Sequence, residues 1–325
     1  MNDTLTALPG LAVGHYTDLD NGTGCTVILA DDPAGMTAAV AVPGQAPASR
    51  EQALLAPGRL VERVNAILLS GGSAFGLSAA DGVMRWLEEC QRGFDVGVGV
   101  VPIVPASALF DLTFGTTVRP DAEAGYAACE AATREPVAQG NVGAGTGATV
   151  GKLFGPFMAM KGGVGSAAVR IGGNVTVAAL AVVNAFGDVI DPSNGEIVAG
   201  TRRPELGGFI NTARAMRYNL DQTALFPFTH TTLAVVGTDA PLSRAQLQMV
   251  ANAAHAGLAR AINPVSTMLD GDTIYAISTG AQRGGNAVAI ASAAAETLSE
   301  AVLRAVRHAE GLHGVPAARD VGSNG

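Results

Sequence analysis

The sequence predicts an α+β fold of layered sheets with helices on the outside. Three observations lead there. Short apolar runs rich in Val, Ile and Thr interleave with longer stretches of helical periodicity, without the strict strand–helix–strand alternation of a parallel sheet. Hydrophobic residues make up 48% of the 325 and charged residues only 15%, against about 25% charged in an average chain. So little charge requires a large core or a subunit interface. The 42 glycines form no repeat and gather in SGGSAFG (70–76), GNVGAGTGATVG (140–151) and KGGVGSA (161–167), where they permit tight connections and close backbone approach.

The elements follow in order. Strands are expected at 26–30, 37–41, 66–70, 174–183, 188–190, 232–237 and 273–279, each β-branched and bounded by Gly, Asp or Asn. Helices are expected at 74–92, 121–133, 206–217, 243–262 and 284–309. In 243–262, Leu247, Val250, Ala251, Ala254, Leu258, Ala261 and Ile262 recur at three- and four-residue steps and form one apolar stripe. Ser243 stands where it can cap the first turn. The alanine-rich 284–309 suggests a helix buried between layers. The length suits one large domain or two modest ones. No linker or low-complexity block interrupts the chain, so one domain over 1–325 is expected, with a small, polar tail at 314–325 that frays.

Several functions are set aside by composition. The longest apolar run, 175–183, is far short of the ~20 residues of a membrane helix. The first residues lack a basic start followed by an apolar stretch, so no secretory signal is read. Cys25, Cys90 and Cys129 are far apart and form no CxxC pattern. A cytoplasmic protein with reduced, structural cysteines is the expectation. The net charge of −8 argues against nucleic acid as a partner.

Four stretches carry candidate chemistry. GNVGAGTGATVGKL is not a P-loop: counting back from Gly151-Lys152 puts Thr146 at the first glycine position, and Leu153 follows the lysine. Lys152 reads equally as a solvent lysine beside a turn. SGGSAFGL approaches G-x-S-x-G, but Phe75 replaces the second glycine, so Ser73 reads as a helix N-cap. In LDGDTIYAI, Asp270 and Asp272 point the same way if the strand starts early, and two carboxylates together orient an amine or a hydroxyl; a plain Asp-Gly turn explains them as well. Asn184, at the end of an apolar strand in VVNAFGD, either donates to an oxyanion or closes a turn. The histidines, His15, His230, His255, His308 and His313, form no HxH or HxxxH pair, and no metal is implied.

In PFTHTTLAVVGTDAPL (227–242), Thr231 and Thr232 open an apolar run. As internal residues they are β-branched strand openers. An internal threonine hydroxyl needs a base to act as a nucleophile. A chain cut between His230 and Thr231 would supply one, because a free α-amine has a pKa of about 7.7–8.0 and can take the hydroxyl proton.

Together, SGGSAFGLSAADGVMRWLEE, VPIVPASALFD, GNVGAGTGATVGK, KGGVGSA, VVNAFGD, THTTLAVVGTDAPL and DGDTIYA run in this order over most of the chain. The set resembles the self-cleaving N-terminal-nucleophile peptidases of the L-aminopeptidase/D-esterase family, which includes β-peptidyl aminopeptidases and the nylon-oligomer endohydrolase. The resemblance implies a four-layer α-β-β-α sandwich, a homo-oligomer of four or more subunits, a small peptide or amide substrate, and no cofactor. It places the nucleophile on Thr231, the catalytic lysine on Lys152, the asparagine on Asn184 and the paired acids on Asp270 and Asp272. The aspartate pair resembles the nylon-hydrolase branch, since the β-peptidyl branch has Ser and Glu there. Familiar members have Asn or Gly before the cut, whereas this chain has His230.

The resemblance implies self-cleavage into chains 1–230 and 231–325. The Thr231 hydroxyl then attacks substrate, Asn184 and a nearby backbone N–H stabilise the oxyanion, Asp270 and Asp272 hold the ammonium and nucleophile, and the Lys152 charge lowers the hydroxyl's pKa. An acyltransferase of the ornithine acetyltransferase type, and an uncut paralogue that only binds a small molecule, are the alternatives.

Overall fold

The computed structural model describes residues 2–218, 230–282 and 284–321. Two main sheets are built from β1 (Leu11–Asp18), β2 (Thr23–Ala30), β3 (Met36–Ala41), β4 (Ala48–Arg50), β5 (Arg63–Val64), β6 (Ala66–Ser70), β7 (Ala106–Ala108), β8 (Gly163–Ile171), β9 (Val175–Asn184), β10 (Thr231–Thr238) and β11 (Thr273–Ser278). The helices are α1 (Ala79–Glu89), α2 (Ala122–Glu130), α3 (Thr212–Tyr218), α4 (Arg244–Ala261) and α5 (Ala287–His308). One sheet runs β1-β2-β6-β7-β4 and the other β8-β9-β10-β11-β3-β5. Neighbours are antiparallel except β6 with β7 and β10 with β11.

Alternation along the strands builds the layers. Leu180 and Val182 of β9, and Leu233 and Val235 of β10, meet Ile28, Ile67 and Leu69 of the other sheet. Their neighbours Ala179, Ala181, Val183, Ala234 and Val236 face α4 and α5. Successive side chains point to opposite faces, so one apolar run serves two cores. On the far side Val27, Leu29 and Leu68 pack on Val83 and Leu87 of α1 and Ala128 of α2. The order is therefore helix, sheet, sheet, helix, as the sequence predicts. Full burial of a Leu, Val or Ile here contributes roughly 1.5–3 kcal/mol. Small residues let α5 come close: a Cβ on Gly165 of β8 would lie 2.0 Å from the Ala301 carbonyl.

Ser243 caps α4 through a reciprocal pair, its Oγ accepting from Gln246 N–H and Gln246 Oε1 accepting from Ser243 N–H. Other expectations are corrected. The stretch 74–92 begins as a 3-10 helix, Ser73–Ser78, before α1. Ser73 sits at φ 54° with no side-chain cap bond, so it is not an N-cap. The helix expected at 206–217 starts at Thr212, because Gly207 and Gly208 take left-handed conformations (φ 72° and 68°) and Phe209–Ile210 is extended. β1 and β8 were not expected as strands. The small, glycine-rich start of β8 reads as loop, although it lies edge to edge with β9 from Gly163 to Ile171. In the tail, Lys161 N–H donates to Pro316 O at 2.9 Å and Ala317 is buried. Residues 322–325 lie outside the described residues. Among the described residues no helix is long and apolar enough to cross a membrane.

Candidate active site

The site forms where β9 ends and β10 begins. The last residue of β9, Asn184, pairs with the first of β10, Thr231. This register is dictated by burial: a one-residue slip would turn Leu233 and Val235 toward α4 and α5 and every alanine the other way. β11 runs parallel to β10 with Thr273 beside Leu233, which carries the Asp270-Gly271-Asp272 turn past the entry of β10. An isolated parallel bridge joins His230 and Asp270.

Backbone bonds grip the His230–Thr231 peptide on both sides. His230 N–H donates to Leu269 O at 2.9 Å, and its carbonyl oxygen accepts from Gly271 N–H at 2.6 Å. Thr232 N–H donates to Asp272 Oδ1 at 2.6 Å. Gly271 is required by space, since a Cβ there would stand 2.6 Å from Ala46 O and 2.8 Å from the Thr231 hydroxyl oxygen. Residues 44–46 clamp the turn from outside, Gly44 N–H donating to Asp272 O and Gln45 and Ala46 N–H to Asp270 O.

Both aspartates are buried and hydrogen-bonded. Asp270 Oδ2 accepts from Thr267 N–H and Oγ1 at 2.7 and 2.6 Å. Asp272 Oδ2 accepts from Ser266 N–H and Oγ at 3.0 and 2.9 Å, and Ser266 Oγ is 2.9 Å from His255 Nε2. Burial, reinforced by the neighbouring Asp270, pushes Asp272 up to about 7. Asp270 is also raised, chiefly by burial.

Lys152 is not a solvent lysine. It is buried, and its Nζ donates to Asn184 Oδ1 at 2.6 Å and Asn184 O at 3.2 Å. Burial pushes it down to about 7, with Asp270 and Asp111 opposing. Asn184 Oδ1 also accepts from Thr149 N–H, and its Nδ2 donates to Phe110 O at 2.9 Å. The donor on the His230 carbonyl is thus Gly271 N–H, while in this arrangement the Asn184 amide anchors Lys152. His230 is 3% exposed. Its ring lies 5.2 Å from that of Phe186, and neither ring nitrogen has a partner among the described residues. Burial, then the Lys152 charge, lowers its pKa to about 2. A small cavity of about 20 Å³ opens here, lined by Phe110, Thr113, Thr149, Lys152, Pro156 and His230.

Sequence reasoning missed the layer behind the site. Lys161 is wholly buried, and its Nζ donates to the carbonyls of Thr146 and Ala148 at 2.8 and 2.6 Å, and more weakly to Gly145 at 3.4 Å. It also stands 4.6 Å from the centre of the Phe114 ring. Asp111 accepts from Gly72 N–H at 2.6 Å and Thr23 Oγ1 at 2.8 Å. The two glycine-rich loops therefore fold around a buried lysine and a buried aspartate. The signal was in the sequence, in VPASALFD and KGGVGSA, but nothing in the spacing ties those residues to the loops.

Known proteins share the sequence pattern and the fold of this chain. The family model described as Peptidase family S58 matches residues 3–319. An uncharacterized aminopeptidase of Mycobacterium tuberculosis (strain ATCC 25618 / H37Rv) is 42% identical over 98% of each chain. The 6-aminohexanoate-oligomer endohydrolase of Kocuria sp. (strain KY2) is 31% identical over 92% of this chain and 84% of its own. Identity to the mycobacterial protein thus exceeds identity to the nylon-oligomer enzyme toward which the aspartate pair leaned. Among solved structures, a Burkholderia sp. beta-aminopeptidase superposes with a TM-score of 0.71 at 23% identity, covering 100% of this chain and 96% of that one. The L-aminopeptidase D-Ala-esterase/amidase of Ochrobactrum anthropi, described as a variant of the Ntn hydrolase fold, gives 0.71 at 20% identity, covering 97% and 88%. The fold is accordingly of the Ntn-hydrolase kind, and the chain, a hydrolase, belongs to peptidase family S58.

Proposed function

We propose that the protein is an aminopeptidase that makes its own nucleophile by cutting the His230–Thr231 bond. The observation that carries this reading is the Gly271 N–H bond to the His230 carbonyl oxygen, at 2.6 Å. A donor already sits where negative charge develops when the adjoining hydroxyl adds to that carbonyl.

In the cut, Thr231 Oγ bonds to the His230 carbonyl carbon and the oxyanion rests on Gly271 N–H. Lys152 is the base. It lines the same cavity as His230, and burial holds its pKa to about 7. Among the described residues its Nζ has two acceptors, both on Asn184, which match the two N–H groups of a neutral amine and leave its lone pair free. The proton passes through Lys152 to the Thr231 nitrogen as the C–N bond breaks. The result is an ester with a free Thr231 amine. Water hydrolyses it to a His230 carboxylate and a free hydroxyl, leaving chains 1–230 and 231–325.

In the cut enzyme the Thr231 amine is the base for its own hydroxyl. The hydroxyl adds to a substrate amide, the leaving amine departs with a proton, and water releases the acid. Asn184 Nδ2 is the side-chain donor for the substrate oxyanion. Asp272, which already accepts from Thr232 N–H, and Asp270 hold the ammonium in register. No cofactor enters. Assembly into a homo-oligomer belongs to the same reading, supported by the low charged content of 15%.

Intact mass under denaturing conditions, with N-terminal sequencing, tests the proposal. Two chains are expected, one starting Thr-Thr-Leu-Ala-Val. A single chain that persists on long incubation overturns it. An acetyl-donor assay with and without an acceptor amine separates hydrolysis from acyl transfer.

A further inference from the structure

We infer that the space filled by the His230 side chain is the acyl subsite of the enzyme, and that it selects substrates whose acyl-side residue carries a flat, uncharged side chain. This rests on the proposed cut at His230–Thr231.

The warrant is chemical identity between two esters. Self-cleavage joins the His230 carbonyl carbon to Thr231 Oγ and leaves the Thr231 nitrogen as a free amine. Attack of the cut enzyme on a substrate amide joins the substrate carbonyl carbon to the same oxygen, beside the same free amine, and expels the substrate's amine with a proton. Both esters are then hydrolysed by water. They differ in the acyl residue and in what its nitrogen carries, chain 1–229 in one and a free amine in the other; once the His230 carboxylate has withdrawn, a substrate residue takes the place His230 held.

The surroundings of His230 then describe what fits. Its N–H donates to Leu269 O at 2.9 Å and its carbonyl accepts from Gly271 N–H at 2.6 Å. A substrate's α-nitrogen and carbonyl oxygen inherit these two contacts. The ring is 97% removed from solvent and lies tilted by 39° against Phe186, centres 5.2 Å apart. Thr113 and Pro156 add uncharged wall. Among the described residues neither ring nitrogen has a hydrogen-bond partner, and the ring's contact is with the Phe186 ring. A buried charge without a partner is costly, which disfavours an ionised side chain in this space. A small side chain would forgo the ring contact with Phe186.

The experiment uses the full-length protein, confirmed as cut by intact mass, with the p-nitroanilides of L-Phe, L-His, L-Ala, L-Lys and L-Glu at pH 8. The expected kcat/KM for Phe and His exceeds that for Ala by about tenfold and that for Lys or Glu by about a hundredfold. Phe186→Ala should narrow the Phe-over-Ala ratio toward one. Phe186 is buried, so a second measurement follows the precursor itself: His230→Phe should cut within about threefold of the wild-type rate, and His230→Lys at least a hundredfold slower. A cut protein that favours Ala, Lys or Glu, or is inert to all five amides, overturns the subsite assignment and leaves the cut standing. So does a His230→Lys chain that cuts at the wild-type rate. A wild-type chain that never cuts overturns the proposed function and this inference with it.

Discussion

Asn184 and Thr231 face each other across the last rung of the β9–β10 ladder. The asparagine in turn holds Lys152 by two hydrogen bonds. One strand pairing therefore sets the candidate nucleophile, the asparagine and the lysine in a fixed relation. Asn184→Ala removes the side-chain acceptor of Lys152 Nζ and Thr149 N–H, keeps the weaker backbone acceptor and leaves the ladder intact. Self-cleavage is expected to slow as Lys152 loses its shorter bond, and turnover by the cut enzyme, where Asn184 Nδ2 is the oxyanion donor, to fall by roughly 10²–10³. Following the cut by gel over days checks this; a variant that cuts like the wild type removes Asn184 from the site.

The turn makes a sharper test. Gly271→Ala places a methyl 2.6 Å from Ala46 O and 2.8 Å from the Thr231 hydroxyl oxygen. The peptide N–H is retained, but it cannot keep its position against both contacts. Cleavage should fall at least a hundredfold while circular dichroism stays native. Cleavage at the normal rate would show that neither the Gly271 N–H position nor the space beside Thr231 matters.

The pH dependence has a definite sign. Burial lowers Lys152 to about 7, so the neutral amine gains as pH rises through 7. Burial and Asp270 raise Asp272 to about 7, so its carboxylate gains over the same interval. The proposed cut needs the neutral lysine. Its rate should climb steeply, close to tenfold per unit, between pH 5 and 7 on account of Lys152 and then level off. Lys152→Met should abolish the climb. A stopped-time mass measurement across pH 5–9 reads it, and a flat profile in the wild type excludes Lys152 as the base.

Lys161 should matter for stability first. Lys161→Met removes the Nζ donor from the buried Thr146 carbonyl, leaves Ala148 O with the Gly162 N–H alone, and takes a nearby amine from Asp111. At roughly 1–3 kcal/mol for an unsatisfied buried group, a loss of about 1–3 kcal/mol is expected. Urea unfolding monitored at the single tryptophan measures it. A loss below about 1 kcal/mol would mean the loop 145–148 holds itself.

The sequence by itself determined the periodic parts. The apolar, β-branched runs at 174–183 and 232–237 and the stripe of 243–262 were legible because both are local patterns, a short buried run and a 3.6-residue period. Ser243 was legible because capping is a contact within one turn. Thr231, Asn184, Lys152, Asp270 and Asp272 could be named from motif order, but each had a plain structural reading in its own stretch. What joins them is the pairing of β9 with β10 and of β10 with β11, between segments roughly 40 residues apart or more. Spacing along the chain carries no record of that. Tertiary structure alone decided that Lys152 is buried, that Gly271 N–H meets the His230 carbonyl, and that Lys161 and Asp111 stand behind the glycine loops. The physical reason is the same in each case: these are long-range contacts that pair polar groups whose removal from water would otherwise be costly. That removal exists only once both sheets and their helices have closed around them.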